Sequence, residues 1–184
     1  MKTTHNPRFE PTVDLEDEMA NAEAKCSKCG RTHPRDQLEL TFQRPDAVVA
    51  LDKARRASEV KESDDLCTIR SERFFIRAVL PLSVQEWKEP YRIGVWVEVE
   101  RTVFERVLEL WDDSAQDQTS PFQARLANDI PSFPSTSGLP VRLQLTGPKT
   151  RPDVLVPQID HPLHREQCLG ITAHRASEYS SYFA

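Results

Sequence analysis

Apolar and polar positions alternate most regularly between Arg73 and Trp111, a stretch that also holds all three tryptophans. Through Phe74–Leu80 one face carries Phe74, Ile76, Ala78 and Leu80, and the other Phe75, Arg77 and Val79. Both faces are apolar enough to be covered, so the segment reads as a central strand, which Pro81 ends. Tyr91–Val99 repeats the period of two, setting Tyr91, Ile93, Val95, Val97 and Val99 against Arg92, Gly94, Trp96 and Glu98. The loop 81–90 lets these two strands pair antiparallel, and Gly94 marks a bulge or a close backbone approach. The period then changes. Thr102-Val-Phe-Glu105 has capping-box spacing, and Val103, Phe104, Val107, Leu108 and Trp111 recur at helical intervals through Asp112.

Weaker patterns extend this core on both sides. Leu38–Phe42 alternates as a short strand, and residues 47–57 have helical composition with Val48, Val49, Leu51 and Ala54 on the apolar side. The basic group Lys53, Arg55 and Arg56 reads as a solvated helix face. Phe122–Leu126 reads as a short edge strand. The segment Asp129–Pro140 carries Pro131, Pro134 and Pro140 and cannot be regular throughout. Pro140–Gly147 sets Val141, Leu143 and Leu145 against Arg142, Gln144 and Thr146, and the turn 146–152 joins it as a hairpin to a shorter strand at Asp153–Pro157. Asp160 can cap a helix that holds Pro162 in its first turn and ends at Gly170. Thr172 can cap a last helix with Ala176, Tyr179 and Phe183 inward. Together these elements predict an α+β fold, one antiparallel sheet of about four to six strands packed by two to four helices.

Composition changes the picture mainly at the ends. Of 184 residues, 38% are hydrophobic, a low share that points to an unpacked segment. Residues 1–24 carry a net charge of −4 out of −5 for the whole chain. They are expected to be a disordered acidic tail before a single α+β domain over 25–184. A near-neutral body without a basic stripe excludes nucleic acid as the default partner. No apolar run approaches the roughly 18–20 residues of a membrane span, and the start lacks the apolar stretch of a signal peptide. The chain is expected to be cytoplasmic.

The candidate chemistry lies in cysteine and histidine. Four cysteines at irregular spacing do not form a disulfide framework in a chain of this size. In Cys26-Ser-Lys-Cys29-Gly30, two thiolates three positions apart can grip one tetrahedral ion, and Gly30 permits the tight turn that aims them. A redox Cys-x-x-Cys would sit between a buried strand and a helix. Here the preceding residues are polar or small and Pro34 follows, which favours a zinc knuckle. The remaining ligands are to be sought at His33, Cys67, His161 and Cys168. His161, His164 and Cys168 are also spaced to share one helical face. Free cysteines such as Cys67 otherwise serve as small buried apolar groups. No nucleophile elbow, phosphate-binding glycine loop, HExxH or dinucleotide fingerprint occurs.

Several of these pieces occur in a fixed order. They are Cys26-x-x-Cys29-Gly30-x-x-His33, Asp65-Leu66-Cys67, Phe74-Phe75-Ile76-Arg77, Gly94-Val95-Trp96-Val97, Leu110-Trp111, Pro131-x-Phe133-Pro134-x-Thr136 and His161-Pro162-Leu163. The set resembles, over roughly 25–178, the bacterial family catalogued as domain of unknown function 2199 (DUF2199). The family tends to carry tryptophan where Ile93 stands, tyrosine where Phe133 stands and Gly-Trp where Ala124-Arg125 stands. The resemblance implies a bacterial intracellular protein of no established activity. It also implies a metal set drawn from Cys26, Cys29, His33, Cys67 and His161, because His164 and Cys168 lie outside the family motifs.

The leading expectation is therefore a non-catalytic cytoplasmic binding or interaction module with a structural zinc knuckle and an unidentified protein partner. Two rivals are an enzyme and a regulatory or toxin-neutralising partner. The enzyme would use His161 with Cys67 or Arg77 in a pocket roofed by the 129–140 loop.

Overall fold

The computed structural model describes residues 40–148 and 150–182. The acidic tail and the motif Cys26–His33 lie outside them. In chain order the elements are α1 (Asp46–Val49), α2 (Lys53–Glu59), β1 (Val60–Glu62), β2 (Leu66–Ile69), β3 (Arg73–Leu82) and β4 (Tyr91–Val99). There follow α3 (Arg101–Leu110), a 3-10 turn (Gln116–Gln118), β5 (Phe122–Leu126), β6 (Pro140–Gln144), β7 (Asp153–Leu155), α4 (Pro162–Leu169) and α5 (Ala173–Ser181).

The strands form one sheet in chain order, each antiparallel to the next. β3 also meets β7 in parallel at Val79 and Asp153, where the Val79 N–H donates to the Pro152 carbonyl at 2.8 Å. That contact closes β3–β7 into a five-stranded barrel, with β1–β2 as a hairpin extension on the first half of β3. The seven strands and five helices among the described residues exceed the expected numbers. β1 and β2 are too short and mixed in character to show a period, and closure is a non-local contact that no local pattern encodes.

The predicted alternation becomes the inside and outside of the barrel. Phe74, Ile76, Ala78, Leu80 and Leu82 of β3 and the odd-numbered residues of β4 fill the interior with Val141, Leu143 and Val154. Phe104, Val107 and Leu110 of α3 and Ala173, Ala176 and Tyr179 of α5 join the same core. Outside the wall, Phe75 and Trp96 form a second core with Val48, Cys67, Ile69 and Ala127. β3 is thus covered on both faces, as its sequence requires.

Local chemistry corrects several expected boundaries. The helical run 47–57 is two helices, because Asp52 starts a new one by accepting the Arg55 N–H at 2.9 Å. α3 begins at Arg101 with Glu100 as N-cap, so Thr102 falls inside the first turn and the capping box does not form. β3 runs through Pro81. Its carbonyl turns away from β4 to accept from Gln167 at 3.3 Å, so the proline ring replaces no ladder hydrogen bond. β5 lies between β4 and β6 and is not an edge. His161, not Asp160, caps α4, whereas Thr172 caps α5 and Gly170, at φ 77°, ends α4 as expected.

Candidate functional site

The β3–β7 seam opens outward into a groove of about 660 Å³. Val79 of β3 stands directly between Gly94 of β4 and Asp153 of β7 in the register. Residues 40–42 run beside Gly94, whose N–H donates to the Leu40 carbonyl at 2.8 Å and whose carbonyl accepts the Phe42 N–H at 2.9 Å. A Cβ on Gly94 would lie 3.0 Å from Thr41 Oγ1. The close approach expected of Gly94 is therefore real, and a missing side chain is what permits it. The turn after β6 supplies another part of the lining. Its Thr146 hydroxyl donates to the Arg151 carbonyl at 3.0 Å and its Thr150 hydroxyl to the Gly147 carbonyl at 2.8 Å. Trp111 and Gln116 complete the rim.

Charges of both signs face this groove. Arg151 Nε donates to Asp65 Oδ1 at 2.7 Å. Arg77 lies next to that pair, donating from Nη1 to the Asp64 carbonyl at 3.2 Å while its buried Nε has no partner among the described residues. Burial, then the nearby Arg151, weaken its hold on the proton. Asp153 is half-buried, and its carboxyl makes no hydrogen bond among the described residues. Burial pulls its pKa above the ordinary carboxylate value, against the opposing field of Arg92. A half-buried acceptor, guanidinium donors, a hydroxyl and an aromatic edge together suit a small polar molecule that carries donors and acceptors.

Of the sequence candidates, Arg77 alone lies beside this groove, and the cysteines and histidines among the described residues fall elsewhere. Cys67 sits in β2, 1% exposed, against the second core. Burial pushes its thiol up to about 11, with Glu62 adding to the shift and Arg44 opposing it. His161 is also buried, and both ring nitrogens are engaged. Nδ1 accepts the Leu163 N–H at 3.1 Å, which leaves Nε2 to donate to the Pro134 carbonyl at 3.3 Å. His164 bonds the Val156 carbonyl and lies 3.6 Å from the exposed Cys168 sulfur. Among the described residues no group of three or more His, Cys, Asp or Glu side chains is arranged to hold a metal. Cys26, Cys29 and His33 lie outside those residues.

The 129–140 loop does reach His161, through Pro134 and through Phe133, whose ring centroid is 5.8 Å away. What it covers there is a polar hub between α4 and α5. Tyr179 donates to Glu166 at 2.6 Å, and Arg175 bonds Glu166 and Glu178, each at 3.0 Å, while stacking on Phe133 and Tyr179. Burial and Glu166 push the Tyr179 hydroxyl far above its ordinary range. These groups satisfy one another and fasten the two helices to the barrel.

Asp153, Arg92 and Arg151 were not singled out by sequence. Each sits in an ordinary strand or turn, and barrel closure is what makes them neighbours. Gly94 pointed to the place, and Arg77, offered for an enzyme pocket, lies beside it.

Fold and groove together define a small closed β-barrel dressed by short helices, with a polar cleft at its seam. The family model described as an uncharacterized protein conserved in bacteria (DUF2199) matches residues 25–171, and the chain belongs to that family. No curated protein and no solved structure matches it. No helix among the described residues is long and apolar enough to cross a membrane.

Proposed function

We propose that the protein is a non-catalytic binding module of the bacterial cytoplasm, whose seam groove takes up a small polar ligand and whose N-terminal knuckle holds a structural zinc ion. Asp153 carries the ligand reading. A half-buried carboxylate without a hydrogen-bonding partner among the described residues, facing Arg92 across a groove, gains most from a ligand that donates to it. Balanced charge around the groove favours a zwitterion or a polyol over a highly charged ligand. For the metal, Cys26 and Cys29 supply half of a tetrahedral set, to be completed from His33, Cys67 and His161. The chain enters the described fold at Leu40, and Phe42 packs against the cluster that contains Cys67.

Thermal-shift titration of the full chain with a panel of amino acids and small polyols tests the ligand reading. One of them should raise the melting temperature by about 2 °C or more, and neither Asp153→Asn nor Arg92→Gln should respond to it. A flat response across the panel, or an equal response in the variants, overturns it. Elemental analysis tests the metal independently. Stoichiometric zinc that is lost in the double variant Cys26→Ser/Cys29→Ser supports the knuckle, and zinc-free wild-type protein refutes it.

A further inference from the structure

β4 and β5 pair at only two positions, Val97–Leu126 and Glu98–Arg125, and then separate. The opening leads into a groove of about 650 Å³ on a different part of the barrel from the seam. Its floor is the barrel interior showing through. Phe74, Val99 and Ala124 keep 7%, 7% and 8% of their surface exposed, whereas Ile76 and Val97, one step further in, keep 0%.

On the outer face beside this opening Glu98 of β4 stands directly opposite Arg125 of β5, with Arg73 of β3 diagonal to Glu98 and Arg142 of β6 diagonal to Arg125. These four outward positions hold three guanidiniums and one carboxylate. Arg73 takes Glu98 in a bidentate pair at 2.7 and 2.8 Å. Arg125 reaches only the Gly138 carbonyl, at 3.4 Å, and Arg142 has no partner among the described residues. Glu72 and Glu100 belong to the β3–β4 side of the groove, as does Arg101, which stacks on Phe74 and donates to the Ser71 carbonyl. Arg125 and Arg142 are diagonal neighbours on adjacent strands, so their charges repel. An oxyanion between them removes that repulsion and receives charge-assisted hydrogen bonds from two forked donors.

We propose that this opening in the barrel wall is a second binding site, for a small molecule with an oxyanion head and an apolar body. Arg125 and Arg142 hold the head, a phosphate ester or a carboxylate. Phe74, Val99 and Ala124 receive the body. The near-neutral body of the chain, without a basic stripe, offers little to an extended polyanion at the same place.

Isothermal calorimetry of the full chain with phenyl phosphate, benzoate and inorganic phosphate tests this, using wild type, Arg125→Gln, Arg142→Gln and Asp153→Asn. Both arginines are exposed, and melting curves verify that each variant folds. Phenyl phosphate or benzoate should bind saturably at millimolar concentration or below. Each arginine substitution should weaken binding about tenfold or more, and Asp153→Asn should leave it unchanged. Preference for one probe identifies the head as phosphate or carboxylate. The proposal is overturned if neither probe binds, if binding ignores both arginine substitutions, or if inorganic phosphate binds as well as phenyl phosphate. Tighter, arginine-dependent binding of a single-stranded oligonucleotide would likewise overturn it, in favour of a nucleic-acid surface.

Discussion

Asn128 closes the backbone gap beside Trp96: its Oδ1 accepts the Trp96 N–H at 2.7 Å, next to the Ala127 N–H that donates to the Trp96 carbonyl at 2.8 Å. The same side chain donates from Nδ2 to the Arg44 carbonyl at 2.8 Å and to Asp46 Oδ1 at 2.9 Å. One fully buried amide thus ties β4 to the α1 segment and to the start of the 129–140 loop. Asn128→Ala orphans a buried N–H and a partly buried carbonyl together, so the expected loss is about 2–4 kcal/mol. Urea denaturation measures it, and a loss below about 1 kcal/mol would mean that water replaces the amide.

Gly94→Ala should cost about 1 kcal/mol, since the new methyl must push Thr41 aside but meets only side-chain atoms. Adding Thr41→Ala should recover most of that loss, and a double-mutant cycle reads the coupling. Additive effects would show that the contact is not what makes glycine necessary.

The pH dependence of Asp153 has a definite sign. Its folded pKa is raised above the ordinary 3.8, so folding favours the protonated form. The stability this contributes is fully present below the unfolded pKa and is lost as pH rises through the folded value. Asp153→Asn should therefore raise the denaturation midpoint near neutral pH and leave it nearly unchanged near pH 3. A variant less stable than wild type at neutral pH would show that the carboxylate is stabilised by an interaction stronger than its burial penalty.

Alkylation should separate two thiols. Cys168 is exposed, whereas Cys67 is buried with its thiol pushed up to about 11, so at pH 8 Cys168 should react first and Cys67 only after denaturant is added. Peptide mapping of iodoacetamide-treated protein follows each site. Equal rates would show that β2 opens readily in the native state.

Gly170→Ala should be the most damaging substitution at the described glycines. Its φ of 77° and the Ser83 carbonyl oxygen 2.9 Å from a new Cβ combine backbone strain with a clash against main chain, about 2–3 kcal/mol together. The melting temperature reports it, and a shift no larger than that of Gly94→Ala would show that the α4–α5 corner yields.

Much of the barrel was legible before the structure, and the reason lies in β3 and β4. Both run long enough for a period of two to be read, and the interior set from Phe74 to Leu82 and from Tyr91 to Val99 follows from it directly. The hairpin β6–β7 and the Thr172 cap were legible for the same local reasons. β2 was not, since Leu66-Cys67-Thr68-Ile69 is too short to show a face. The seam groove was not either. Arg92, Asp153 and Arg151 become neighbours only when the sheet closes, so no spacing in the sequence relates them. Arg142 was visible as an outward strand position and Arg125 was not, and their diagonal placement depends on the register between β5 and β6.

The single parallel pair that completes the ring also sets an order of assembly. Every other ladder joins strands that follow one another along the chain, so each can form soon after its second strand is synthesised. Val79 must wait for Asp153. Until that residue emerges, the edge of β3 beyond β2 stays unpaired, and the nascent chain presents an open sheet whose free edge is its most exposed route to misassembly.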